Sequence, residues 1–172
     1  MRILVAVASR HGSTREVGEA IAEVLRSSGF LVDVLDPDDV ERLSEYDAVV
    51  LGSSIYVGRW AASARALVDR GAGTLAGRPV WLFSSGPVGN PPAPAGDPEE
   101  VPALMTRLHA RGHRTFPGRL DKGGLALAER AVVALVQAEQ GDFRAWADVQ
   151  DWAGSIAAEL HDEEVRRLRF VR

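Results

Sequence analysis

Six consecutive apolar residues, Ile3-Leu4-Val5-Ala6-Val7-Ala8, give way abruptly to the polar cluster Ser9-Arg10-His11-Gly12-Ser13-Thr14. An unbroken apolar run of that length reads as a strand buried on both faces, as in a parallel sheet. The period then changes: Val17, Ala20, Ile21, Val24 and Leu25 recur at three- and four-residue steps, which predicts an amphipathic helix over 14–28. Ser13 with Glu16 makes a capping-box pattern at its start, and Gly29 follows its end. Further apolar runs at 30–35, 47–52 and 79–84 predict strands, each ending in polar or glycine-bearing residues. A short helical turn is expected at 40–43, and a helix with Trp60, Ala64, Leu67 and Val68 on one face. A proline-rich loop at 90–98 leads to a helix near 99–111. Residues 114–120 are expected as a fifth strand, at an edge or bulged because of Pro117. An apolar helix follows at 124–138, and Asp148 is placed to cap a last helix bearing Val149, Trp152, Ala153, Ile156 and Leu160.

Strands alternating with helices imply βαβ units, hence an α/β fold with helices on both faces of a parallel sheet. The expectation is one doubly wound domain spanning 1–172, five strands in the order 2-1-3-4-5, with a basic tail at 161–172. Composition narrows the chemistry. With 172 residues and no cysteine, the chain excludes a disulfide scaffold, a thiolate metal site and a catalytic thiol. A formal charge of −4 argues against a nucleic-acid binder that works by neutralising phosphates. No stretch reaches the roughly 18 apolar residues of a membrane span. The opening apolar run is too short for a secretory core, so a cytoplasmic setting is expected. The tail mixes Arg166, Arg167, Arg169 and Arg172 with apolar residues, which serves either a solvated helix end or a peripheral membrane contact.

In an open α/β sheet, ligands bind beyond the carboxyl ends of the strands where strand order reverses. That rule selects three loops. The first offers the hydroxyls of Ser9, Ser13 and Thr14, a close-approach Gly12, and the positive end of a helix, with Arg10 and His11 beside them. It suits a terminal phosphate; the alternative is an ordinary turn in which Ser13 only closes its helix. Neither the dinucleotide fingerprint nor the nucleotide-triphosphatase loop occurs, so a phosphomonoester fits better than a pyrophosphate. The second loop, Ser53-Ser54-Ile55-Tyr56-Val57-Gly58, can flank a flat heterocycle through Tyr56, with Trp60 read as a core residue. The third, Ser84-Ser85-Gly86-Pro87-Val88-Gly89, brings small residues to a ligand edge or simply makes a turn.

Together these loops resemble those of the flavodoxin-like FMN proteins, and among them the bacterial menaquinone-dependent protoporphyrinogen dehydrogenases and their flavodoxin-domain relatives. The likeness rests on residues 9–14 with the following helix, on 52–58, and on Gly141-Asp142-Phe143 through Trp152. It implies one FMN, its phosphate at Ser9, His11, Gly12, Ser13 and Thr14 and its ring between residues 54–58 and 84–89. The bound flavin then carries the redox chemistry while the protein orients it, so no acid–base dyad or nucleophile is expected. The resemblance implies an oxidoreductase moving electrons from a small organic donor, a porphyrinogen included, to a quinone-type acceptor. The second reading is an electron carrier between protein partners; carriers of this kind are usually far more acidic than −4. A phosphoacceptor receiver domain would need acidic residues after the first strand and an aspartate after the third, where this chain has Ser9-Arg10-His11 and Gly52-Ser53-Ser54.

Overall fold

β1 (Arg2–Ala8) is buried from Ile3 onward because successive side chains feed two different cores. The computed structural model describes residues 1–86, 88, 96–121, 123, 126–135 and 140–170. Ile3, Val5 and Val7 pack with Val17, Ile21 and Leu25 of α1 (Ser13–Ser27) and with Val149, Ala153, Ile156 and Leu160 of α5 (Trp146–Phe170). Leu4, Ala6 and Ala8 face the other way, onto Ala64, Leu67 and Val68 of α2 (Ala62–Ala76) and Leu104 and Leu108 of α3 (Val101–Leu108). A strand covered on both sides has no solvent face, hence its lack of polar alternation.

β2 (Leu31–Leu35), β3 (Ala48–Tyr56), β5 (Val80–Ser85) and β6 (Gly112–Phe116) join β1 in the parallel order β2-β1-β3-β5-β6. Numbered by parallel strands alone this is the expected 2-1-3-4-5. The added β4 (Arg59–Trp60) turns back antiparallel on β3, and so Trp60 precedes α2 instead of sharing its face. Gly52 of β3 lies under the ring of Phe83: a Cβ there would stand 2.0 Å from Phe83 Cζ.

Several boundaries differ from the sequence expectation. The fifth parallel strand stops at Phe116, before Pro117, which lacks the N–H a ladder needs. Beyond it β7 (Arg119–Leu120) leaves the sheet and pairs antiparallel with β8 (Gly141–Asp142), bracketing α4 (Leu127–Leu135). Two single 3-10 turns, Pro37–Asp39 and Leu43–Glu45, flank the place where one helical turn was expected. Asp36 caps the first by accepting from the Asp38 N–H at 3.0 Å. α5 begins at Trp146, which puts Asp148 within its first turn instead of at its cap. Among the described residues no helix is long and apolar enough to cross a membrane.

Candidate functional site

The register of the sheet aligns the three loops. Ala8 lies opposite Ser53, Ser53 opposite Ser84, and Ser54 opposite Ser85, so the chain leaves β1, β3 and β5 side by side at one sheet edge. This is where strand order reverses between β1 and β3.

In the first loop Gly12 stands at the N-cap of α1 with φ 82°, a left-handed conformation that glycine takes without steric penalty. Among the described residues no side chain caps the helix. The capping box read from Ser13 and Glu16 is therefore not formed: the left-handed Gly12 carries the chain into the helix one residue early, and Ser13 becomes its first residue. The hydroxyls of Ser9 and Ser13 are both buried, and both lack a hydrogen-bond partner among the described residues. Thr14 is 4% exposed, while Arg10 and His11 are exposed. Two orphaned hydroxyls beside a helix end whose first N–H groups have no intrahelical acceptor form a donor-rich recess without an anion of its own. Its donors fit the oxygens of a phosphomonoester, and so fit FMN.

In the second loop Ser54 and Ile55 are half-buried, and Tyr56 is 40% exposed at the end of β3. The Arg10 guanidinium lies 4.9 Å from the centroid of the Tyr56 ring, a cation–π contact that joins the first loop to the second. Val57 and Gly58 connect β3 to β4 with φ 51° and 74°. Ser53 is fully buried, and its hydroxyl is engaged by the fold: Oγ accepts from the Ala61 N–H at 2.9 Å and donates to the Ser54 carbonyl at 3.0 Å.

The third loop rests on polar ties that the sequence reading did not find. Ser84 Oγ accepts from Trp60 Nε1 at 2.8 Å and lies 2.9 Å from His113 Nε2. His113 Nδ1 is 3.5 Å from Asp97 Oδ2, and Thr115 donates to the other Asp97 oxygen at 2.6 Å. Burial pushes the His113 pKa down, and the nearby Asp97 partly opposes it. Ser84 is wholly buried and its oxygen already accepts from an indole, so this chain ties strands together and does not present a nucleophile. Ser85 is buried, Gly86 and Val88 are half-buried, and Pro87 and Gly89 lie outside the described residues. Gly86 packs so near Ile55 that a Cβ on it would stand 3.1 Å from Ile55 Cβ, which brings the third loop against the second. No local pattern could have revealed the Trp60–Ser84–His113 chain, since its members come from β4, β5 and β6.

The family described as the flavodoxin domain matches residues 4–145. Protoporphyrinogen IX dehydrogenase [quinone] of Escherichia coli K12 is 30% identical over 86 residues, covering 49% of this chain and 48% of that protein. The match thus spans about half the length of that curated relative. A flavodoxin from the domain Archaea superposes with TM-score 0.66 at 18% identity, covering 94% of this chain and 99% of its own. Rubredoxin oxygen:oxidoreductase of Desulfovibrio gigas gives TM-score 0.65 at 14% identity, with 94% of this chain and 36% of its own covered. At those identities the two structures share the fold.

Proposed function

This chain belongs to the flavodoxin domain family and is an FMN flavodoxin-type protein, and from that premise we propose that it is an oxidoreductase passing electrons from a small organic donor to a quinone-type acceptor. Protoporphyrinogen IX is the donor of first choice, on the strength of the 30% identity to the Escherichia coli dehydrogenase. In this reading Ser9, Arg10, His11, Gly12, Ser13 and Thr14 surround the phosphate. Ser54 to Gly58, with Ser85, Gly86 and Val88, border the ring system, while the buried Ser53 and Ser84 brace the two loops from within. Bound FMN supplies the redox chemistry. The protein's residues do the rest: hydroxyls and helix N–H groups hold the anion, Arg10 steadies Tyr56, and Tyr56 with Val57 forms a partly apolar rim where an acceptor can approach. We place the activity in the cytoplasm.

The observation that carries this reading is the pair of buried, unpartnered hydroxyls on Ser9 and Ser13. A buried polar group without a partner is rare in a folded chain, and a bound anion explains both at once. The test is an anaerobic assay of purified protein loaded with FMN, given protoporphyrinogen and a menaquinone analogue. The expected result is steady-state turnover with one quinone reduced to quinol per two-electron oxidation of the donor. Fast electron exchange with a ferredoxin or a reductase, with no quinone reduced, would instead assign the chain as a carrier.

A further inference from the structure

Residues 141–144, Gly141-Asp142-Phe143-Arg144, stand out in the sequence, yet the function above makes no use of them. They sit far from the first loop in sequence and beside it in space. The Arg144 side chain is only 4% exposed. Its Nε and Nη2 donate to the two oxygens of Asp142 at 2.8 and 2.5 Å, and its Nη1 donates to Glu16 Oε2 at 2.5 Å. The guanidinium also lies 4.5 Å from the ring centroid of Trp146. Arg119 of β7 reaches the other Glu16 oxygen at 3.2 Å. Glu16 belongs to the first turn of α1, and its backbone N–H donates to the Gly12 carbonyl at 3.0 Å. Two cations, Arg119 of β7 and Arg144 just past β8, are therefore fastened to the helical turn that follows the first loop.

Charge explains the need for them. A carboxylate in the first turn of a helix is favourable when the site is empty, but it repels any second anion at the same end. A phosphomonoester carries nearly two negative charges at neutral pH. Arg144 and Arg119 balance Glu16 and Asp142, and Asp142, its pKa held down to about 2 by Arg144, stays ionised and keeps Arg144 in place.

We propose that Arg144 is a positioning residue for the FMN phosphate: by binding Glu16 it removes a like charge from the phosphate end of α1, and so favours FMN over unphosphorylated riboflavin. The inference rests on the reading of residues 9–14 as the phosphate seat. Arg144 acts through Glu16, since its three guanidinium nitrogens are taken up by Asp142 and Glu16.

The test is titration of the apoprotein with FMN and with riboflavin, for wild type, Arg144→Gln, Glu16→Gln and the double variant. Arg144→Gln should weaken FMN on the order of tenfold, as expected when a carboxylate near the surface loses one of its two cations, and leave riboflavin within about twofold. The deficit should shrink in high salt, which screens the exposed carboxylate. The double variant should regain FMN affinity, because the repelling charge has gone. A merely structural arginine would lower both affinities together and would not be rescued, and either result overturns the inference. Should Arg144→Gln not fold, Arg119→Gln, which leaves the Arg144–Asp142 pair intact, carries the same expectation at smaller size. Wild type binding FMN no better than riboflavin would sink the phosphate seat itself. A preference for FMN that Arg144→Gln leaves unchanged would sink only the role of Arg144.

Discussion

Ser9 and Ser13 hold their hydroxyls away from water and from any partner among the described residues, an arrangement that costs the apoprotein stability. Ser13→Ala should therefore leave the thermal midpoint of the apoprotein unchanged or slightly higher. The same change should weaken FMN by about 1.5–3 kcal/mol, the worth of a hydrogen bond to a charged group. Melting curves and a flavin fluorescence titration separate the two effects; a drop in apoprotein stability with full FMN affinity would show Ser13 to be a packing residue. His113 makes a second prediction at this scale. Its folded pKa is depressed below the ordinary 6.5, with burial the main cause, so the unfolded chain binds the proton more readily. Stability from this group is present above about pH 6.5 and falls as pH drops below it. Denaturant midpoints of the apoprotein measured from pH 8 to 5 should decline across that window, and His113→Gln should flatten the decline.

The β3–β4 hairpin shows how an element can carry local conflict. Its two connecting residues, Val57 and Gly58, both have positive φ, as the tightest two-residue hairpin turns require. Gly58 takes that conformation readily; Val57, β-branched and 73% exposed, does not. Val57→Asn creates the Asn-Gly pair such turns favour and should stabilise the apoprotein by about 1 kcal/mol in urea unfolding. No gain would mean that the turn relaxes around valine. The hairpin itself was hidden in the sequence. Arg59 and Trp60 form a strand only because β3 lies beside them and because the Trp60 N–H donates to Glu100 at 2.5 Å, forty residues onward. Pro117, by contrast, announced a disturbance and the structure placed it: β6 ends one residue earlier.

At the scale of the whole molecule, α5 closes one face of the sheet and then continues past it. Val149, Ala153, Ile156 and Leu160 are buried, whereas Val165 and Leu168 are exposed. Leu160→Ala should cost about 2–5 kcal/mol, the range for a leucine removed from a packed core. Deleting residues 166–172 should cost under about 0.5 kcal/mol, because Arg166, Arg167, Leu168 and Arg169 are exposed and surface changes usually cost little. Urea unfolding of the two apoproteins checks both values; a large loss on truncation would make the basic tail part of the fold.

The parallel strands were legible because burial on both faces leaves continuous apolar runs such as residues 3–8, and helices α1, α2 and α5 because one apolar stripe must meet the sheet. Their alternation and right-handed crossovers leave little freedom in strand order, so the reversal point and the three loops beside it were legible too. The roles of individual polar groups were not. Ser13 reads as a cap until Gly12 turns left-handed before it, and Glu16 reads as its capping partner until Arg144, 128 residues away, takes the carboxylate. Ser53 and Ser84 read as members of the loops that border a ligand, and only the packed structure ties their oxygens to Ala61 and Trp60. Periodicity encodes which face of an element is dry, a local property of the chain. Which donor meets which acceptor depends on distances between segments remote in sequence, and those distances exist only once the sheet and helices have packed.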